Sequence, residues 1–259
     1  MDVLLRRDAG AVAWLTLNRP EARNALSAEL MAALDAELAA VEAQPGTHVV
    51  VIDAAGPAFC AGHDLREVLA RAEDGEAAIG ELFAQCSRLM TRIVRLDKPV
   101  IACVHGIATA AGCQLVATCD LAVAAETARF ATPGVDIGLF CSTPAVALAR
   151  AIGRKPAMEM LLTGEPVGAA RALALGLVSR VVPDAGLQSA AEALAQEIAS
   201  KSPLTLAIGK RAFHRQIEQG LDDAYATASE AMTRNMLTRD AAEGVAAFLQ
   251  KRPPVWRGE

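Results

Sequence analysis

The 259-residue chain is 53% hydrophobic and only 3% aromatic, and its formal net charge is −5. That apolar supply excludes a disordered chain, and the acidic balance argues against a broad electrostatic grip on nucleic acid. No stretch approaches the about 20 apolar residues of a membrane span, and the N-terminus lacks a basic region leading into an apolar run. The expectation is a soluble, cytoplasmic protein that binds neither membrane nor nucleic acid. Cysteines 60, 86, 103, 113, 119 and 141 lie mostly inside apolar runs and never as C-x-x-C, which predicts buried free thiols and no metal site.

In chain order, residues 3–7 and 11–17 read as a hairpin around Asp8-Ala9-Gly10. A polar loop, 18–24, leads to Ser27, the expected N-cap of a helix to about residue 44. On that helix Leu30, Leu34, Leu38 and Val41 make one apolar face. The β-branched run 49–52 predicts a strand buried on both faces. A helix over 80–95 precedes a strand at 99–104, and a helix from Ala111 precedes a strand at 121–125. This alternation predicts right-handed βαβ crossovers with helices over a mostly parallel sheet. After Pro144 the pattern turns helical, apart from a strand at 177–182; helices are expected at about 154–163, 185–200, 203–218, 221–235 and 238–250. The division expected is a core over 1–200 and a helical C-terminal region over 201–259.

Two segments place small residues where the chain leaves the sheet: Phe59-Cys60-Ala61-Gly62-His63-Asp64-Leu65, and residues 106–114, Gly-Ile-Ala-Thr-Ala-Ala-Gly-Cys-Gln. Ligands of open α/β sheets sit beyond the carboxyl ends of strands, and small side chains there let a ligand reach the backbone. Two N–H groups converging on one carbonyl oxygen would make an oxyanion hole. The spacing alone also suits tight helix–sheet packing.

These segments, with Asn18-Arg19-Pro20, Asn24-Ala25-Leu26, Lys98-Pro99-Val100, Cys119-Asp120, Phe130-Ala131-Thr132-Pro133, Leu162-Thr163-Gly164 and Ala174-Leu175-Gly176-Leu177, resemble the enoyl-CoA hydratase/isomerase (crotonase) family over nearly the whole chain. The resemblance implies an α/β fold of the crotonase-like kind, a spiral of ββα units with a helical C-terminal trimerisation region. It implies a homotrimer or homohexamer, and an acyl-CoA substrate that brings the only coenzyme A, with no separate cofactor. It places the oxyanion-hole amides at Ala61 and Ala111. It puts CoA along Glu21, Ala22, Arg23, Ala61, Gly62, His63, Asp64 and Leu65, and a neighbouring subunit's Phe248 and Lys251 at the nucleotide.

The departure lies in the acid/base pair. Hydratases of the family use two glutamates; the matching positions here are Gln114, one helical turn after Ala111, and Gly134. A carboxamide has no useful acid/base equilibrium near neutral pH, and glycine has no side chain. Asp136 and His63 are the candidate replacements, each with a plain structural alternative; Glu67 reads as solvated. Ordinary hydration is expected to be weak, and glutamates restored at 114 and 134 together are expected to raise it. The leading reading is an enzyme of the lyase or isomerase type that stabilises a thioester enolate. Decarboxylation, isomerisation and thioester hydrolysis stay open as its chemistry, and a non-catalytic acyl-CoA-binding oligomer is the rival of another class.

Overall fold

A computed structural model describes residues 2–259. Strands β1 (Leu4–Ala9) and β2 (Val12–Leu17) form the antiparallel hairpin. Helix α1 (Ala28–Glu42) follows, and Ser27 caps it by accepting from Leu30 N–H at 3.1 Å. Strand β3 (Val49–Ala54) then pairs parallel with β2. Helices α2 (Leu65–Glu73) and α3 (Glu76–Arg95) cross to β4 (Val100–Val104), which pairs with β3. Short β5 (Ile107–Thr109) leads into α4 (Ala111–Thr118), β6 (Leu121–Ala125) and β7 (Arg129–Ala131). Helices α5 (Ser142–Ala151) and α6 (Arg154–Thr163), strand β8 (Val167–Gly168), helix α7 (Ala169–Leu175) and strand β9 (Arg180–Val182) complete the sheets. Helices α8 (Leu187–Ala199), α9 (Pro203–Gln216), α10 (Leu221–Met236) and α11 (Arg239–Leu249) end the chain.

The main sheet runs β1-β2-β3-β4-β6-β9, parallel except at β1, as the alternation predicts. Val50 and Ile52 face the core shared with α1 and α3, whereas Val49 and Val51 face α8. Burial on both faces explains the unbroken β-branched run. Leu30, Leu34, Leu38 and Val41 of α1 are fully buried. Each such side chain contributes about 2 kcal/mol, against about 0–1 for an exposed ion pair, so packing holds this helix. All six cysteines are free, and all but Cys119 are buried.

Several boundaries differ from the sequence reading. Helix α3 starts at Glu76 because Gly75, at φ 100°, ends α2 and turns the chain directly into it. The strand expected at 177–182 begins only at Arg180, since Gly176 in left-handed backbone closes α7 and Leu177 N–H bonds back to Ala172. Helices α5 and α7 and a second sheet, β5-β7-β8, were not anticipated. Their segments are short and carry no sustained period.

Helix α9 is pinned to the core by one buried cluster. Lys210 Nζ donates to Asp120 at 2.6 Å and to the carbonyls of Ile93 and Lys98 at 3.0 and 3.1 Å. Asp120 also accepts from Val100 N–H at 2.7 Å, and His214 Nε2 lies 3.4 Å from its other oxygen. Removing one partner of a buried pair leaves the other charge uncompensated. Asp120→Ala is therefore expected to destabilise the protein by about 3 kcal/mol, read as a lower urea midpoint; an unchanged midpoint would show that the cluster holds nothing.

Candidate active site

Three segments meet at the carboxyl ends of β3 and β4. The loop after β2 is organised by Asn24, fully buried at φ 54°, whose amide donates to the carbonyls of Ala55 and Ala58 at 2.8 Å. Its oxygen accepts from Arg19 N–H at 2.8 Å. This loop then binds the 60–64 segment: Leu26 N–H to Gly62 O at 2.7 Å, Asp64 N–H to Leu26 O at 3.2 Å, and Ala61 N–H to Arg23 O at 3.0 Å. Arg19 and Asp64 pair at 3.0 Å, and Asp64 caps α2 through Arg66 N–H at 3.1 Å. Burial pushes the Asp64 carboxyl up, but Arg19 and the cap outweigh it and hold it below its ordinary value. The third segment joins by backbone alone, with Cys60 N–H donating to Ile107 O and Thr109 N–H to Cys60 O, at 3.1 and 2.9 Å.

Close approach requires glycine here. A Cβ on Gly112 would stand 2.3 Å from Cys60 O, and one on Gly62 would stand 2.8 Å from the Ala110 methyl and 3.4 Å from Ala111 N. The turns after β3 and β5 are thus in direct contact. Between them Ala110 sits at φ 50°, ψ −119°, a conformation an alanine pays to hold, with its N–H on Ala131 O at 2.9 Å. Ala111 opens α4, where first-turn N–H groups have no partner inside the helix.

The expected pairing of amides needs one correction. Ala61 N–H is spent on Arg23 O, so it cannot also face a ligand. Among the amides with no backbone acceptor on these two turns are those of His63 and Ala111, together with Gly112 and Cys113 in the first turn of α4. His63 forms the bridge with Leu26 through its neighbours' groups, which leaves its own N–H pointing away from that loop. Small-residue spacing located the turn but not which of its N–H groups is free.

Gln114 is 4% exposed, and its Oε1 has no partner. The hydroxyls of Thr109 and Thr132 are likewise buried without partners, as is His63 Nε2. Four buried polar atoms without partners thus lie on the segments around these strand ends. The threonines were not singled out in the sequence; unpaired hydroxyls on small-residue turns were the available signal.

Position 134 is closed. A Cβ on Gly134 would meet Leu139 O at 2.2 Å and Cys141 Sγ at 2.8 Å. Leu139 N–H in turn bonds Gly134 O at 2.8 Å, so the 134–141 loop folds over the place where a side chain would begin. A glutamate cannot simply be restored there, and the expectation for the double substitution falls on that ground. Asp136 is exposed, and its carboxylate lies beside Gly164, whose added Cβ would be 3.1 Å from Oδ2. It turns toward Gly164 at the end of α6. Cys141 accepts from Gly134 N–H, and burial pushes its thiol up, which keeps it protonated. His63 packs edge-on against Phe83, with ring centroids 5.4 Å apart, and burial lowers its pKa, so it is neutral near pH 7. Glu67 is not solvated as expected: its carboxylate accepts from Ala28 N–H at 2.8 Å and supports the start of α1.

Glu21 and Ala22 lie on a 3-10 turn (Pro20–Ala22), and Arg23 follows at φ 51° with its side chain exposed. Leu65 is 52% exposed at the start of α2. Phe248 is 83% exposed on α11, and Lys251 follows that helix at φ 55°. Neither belongs to the cleft formed by residues 60–64 and 109–114 of the same chain. Among the described residues no group of acidic, His and Cys side chains has metal-binding geometry, and no helix is long and apolar enough to cross a membrane.

A family model described as Enoyl-CoA hydratase/isomerase matches residues 7–259. The human enoyl-CoA hydratase domain-containing protein 3, mitochondrial, is 47% identical over 98% of this chain and 83% of its own length. Its crystal structure superposes with a TM-score of 0.95, covering 98% of this chain and 100% of that one. An enoyl-CoA hydratase from Mycobacterium smegmatis is 52% identical, with a TM-score of 0.94 and 98% of both chains covered. The crotonase-like fold is thereby established. The cytoplasmic expectation is overturned: the similar human, frog and rat proteins are named as mitochondrial. Charge, thiols and the lack of an apolar span do not distinguish one aqueous compartment from another.

The closed position 134 is directly testable. Gly134→Ala is expected to lower stability by about 1–3 kcal/mol, the usual cost of forcing a methyl group into a packed site, measured as a drop in Tm. A neutral effect would mean that the 139–141 loop yields easily and that the position is open after all.

Proposed function

This chain belongs to the enoyl-CoA hydratase/isomerase family, and on that premise we propose that it holds an acyl-CoA thioester with its carbonyl oxygen between the N–H groups of His63 and Ala111. It is an acyl-CoA-processing enzyme of that family. The observation that supports the proposal is the contact of two turns, each presenting an unspent amide, beside buried polar atoms that have no partner. Neutral donors preset in a dry site favour an oxygen that gains negative charge, and one such donor is worth roughly 3–4 kcal/mol in a transition state. The chemistry is therefore enolate stabilisation.

Water addition is a different matter. It needs a base to activate water and an acid to protonate the α-carbon, each worth roughly 10²–10⁴-fold. Gln114 is neutral, Gly134 is bare and enclosed, and Asp136 is exposed beside Gly164. Hydration of crotonyl-CoA is accordingly a minor activity. CoA runs along Glu21–Arg23 and Gly62–Leu65, with exposed Arg23 available to its phosphates. Assembly as a trimer or hexamer is part of the same proposal. The apolar side chains that α9–α11 leave exposed support it, among them Phe213, Leu221, Tyr225, Met232 and Phe248.

Two measurements test this reading. Butyryl-CoA is expected to bind about 5- to 150-fold more tightly than its thioether analogue, which lacks the carbonyl oxygen, as two hydrogen bonds of about 0.5–1.5 kcal/mol each imply; equal affinities by calorimetry would remove the oxyanion hole. Crotonyl-CoA hydration, followed by loss of enoyl absorbance, is expected to run a few orders of magnitude below an ordinary family hydratase. Rapid hydration would assign His63 or another group the acid/base role.

A further inference from the structure

Resting on the assembly reading above, we propose that residues 252–259 form a strap that locks α11 onto the turn between α8 and α9, and that self-association of this chain depends on that lock. Helix α11 has little else to hold it. It spans 11 residues, below the about 12–15 at which an isolated helix becomes even marginal in water. Its buried residues are Asp240 and Ala247, whereas α1 buries five apolar side chains. One buried methyl group does not fix a helix, so the position of α11 has to come from polar contacts.

The chain supplies those contacts by doubling back. After Lys251, at φ 55°, Arg252 N–H bonds Ala247 O at 3.0 Å and the tail runs antiparallel along α11. Arg252 forks onto the Glu243 carboxylate at 2.6 and 2.8 Å, and Val255 N–H reaches it at 2.9 Å. Nearer the start of the helix, Asp240 accepts from the N–H groups of Arg257 and Gly258 at 2.8 and 3.0 Å. Its own N–H donates to Glu259 O at 2.9 Å. Positions 240, 243, 244 and 247 share one helical face, and the strap lies along it. Gly244 lets the Trp256 ring approach the helix backbone: a Cβ there would stand 3.1 Å from the ring.

Two contacts carry the lock beyond α11. Trp256 Nε1–H donates to Ser200 O at 2.8 Å. Ser202 Oγ donates to Asp240 at 2.6 Å while capping α9 through Thr205 N–H at 3.1 Å. Residues 200–202 join α8, which packs on the sheet, to α9. Burial pushes the Asp240 carboxyl up, but Ser202 and the N–H groups of Arg257 and Gly258 outweigh it and hold it below its ordinary value. A buried charge with its hydrogen bonds made restrains geometry, because any other placement of α11 leaves that charge unpaired. Away from the strap, α11 presents Val245, Phe248 and Leu249, all exposed. Large apolar side chains so exposed suit a second copy of the chain, and only a fixed helix presents them in one arrangement.

The test uses full-length variants, read by light scattering and by hydrogen exchange with mass spectrometry. Wild type is expected to be an oligomer. Phe248→Asp is expected to be a monomer whose α11 stays protected, because the strap does not use that side chain. Adding Asp240→Asn to this monomer is expected to speed exchange over 239–249 about 10- to 150-fold, the loss of a hydrogen bond to a charged group. Trp256→Ala, which removes the ring and its hydrogen bond, is expected to act in the same direction. Exchange in β3, β4 and α4 is expected to stay unchanged, which shows the core folded. With Phe248 retained, the same two substitutions are expected to bring the mass down toward that of a monomer. Exchange over 239–249 unmoved by both substitutions overturns the lock. A loosened α11 with the oligomer intact overturns the dependence of self-association on it. A monomeric wild type overturns the assembly reading and that dependence with it, while the exchange rates still decide the lock.

Discussion

The site depends on one backbone contact, the seating of α4's first turn on the carbonyl of Cys60. Gly112 lies so close that a single methyl group would stand 2.3 Å from that oxygen. The contact fixes the distance between the turns after β3 and β5, and so where the His63 and Ala111 amides stand relative to each other. Other local features serve it. Asn24 and the Arg19–Asp64 pair hold the loop that occupies the Ala61 amide, and Ala110 accepts an unfavourable backbone conformation so that α4 can begin where it does. A site carried by main-chain groups is insensitive to side-chain replacement, whereas a small shift of either turn would disable it.

Because the proposed donors belong to the backbone, a scaffold of this kind could keep enolate stabilisation while its charged side chains changed. The two contributions differ in kind. The amides act on any reaction that places negative charge on the thioester oxygen, at roughly 3–4 kcal/mol for each donor. Acid/base groups act only on a particular proton transfer. On the proposed reading, losing the second and keeping the first narrows the chemistry instead of abolishing it. The loop that encloses position 134 shows this is more than a missing side chain, since the space a glutamate would need is taken by main chain and sulfur.

The parts of the fold with sustained period were legible in the sequence. The apolar face of α1, the doubly buried β3 and the alternation of strands and helices all follow from side-chain spacing. The short elements β5, β8, α5 and α7 were not, because two to ten residues fixed by tertiary contacts carry no period of their own. The motif resemblance located the cleft, yet the choice of Ala61 over His63 turned on which N–H the Arg23 carbonyl occupies, a contact 38 residues away in the chain that spacing does not encode. Asp136 was placed near the chemistry by proximity in sequence, and the 3-10 turn over 133–137 rotated it toward Gly164. Glu67 looked like a solvated helix residue because its partner, the N-terminus of α1, lies 39 residues earlier.

The central claim is that the unspent amides of His63 and Ala111 share one thioester oxygen. A crystal structure with a bound, unreactive acyl-CoA measures it most directly. The account predicts that oxygen within about 3 Å of both nitrogens, with Ala61 N–H still bonded to Arg23 O. An oxygen more than about 3.5 Å from either nitrogen, or one that has displaced the Arg23 carbonyl to reach Ala61, would contradict it.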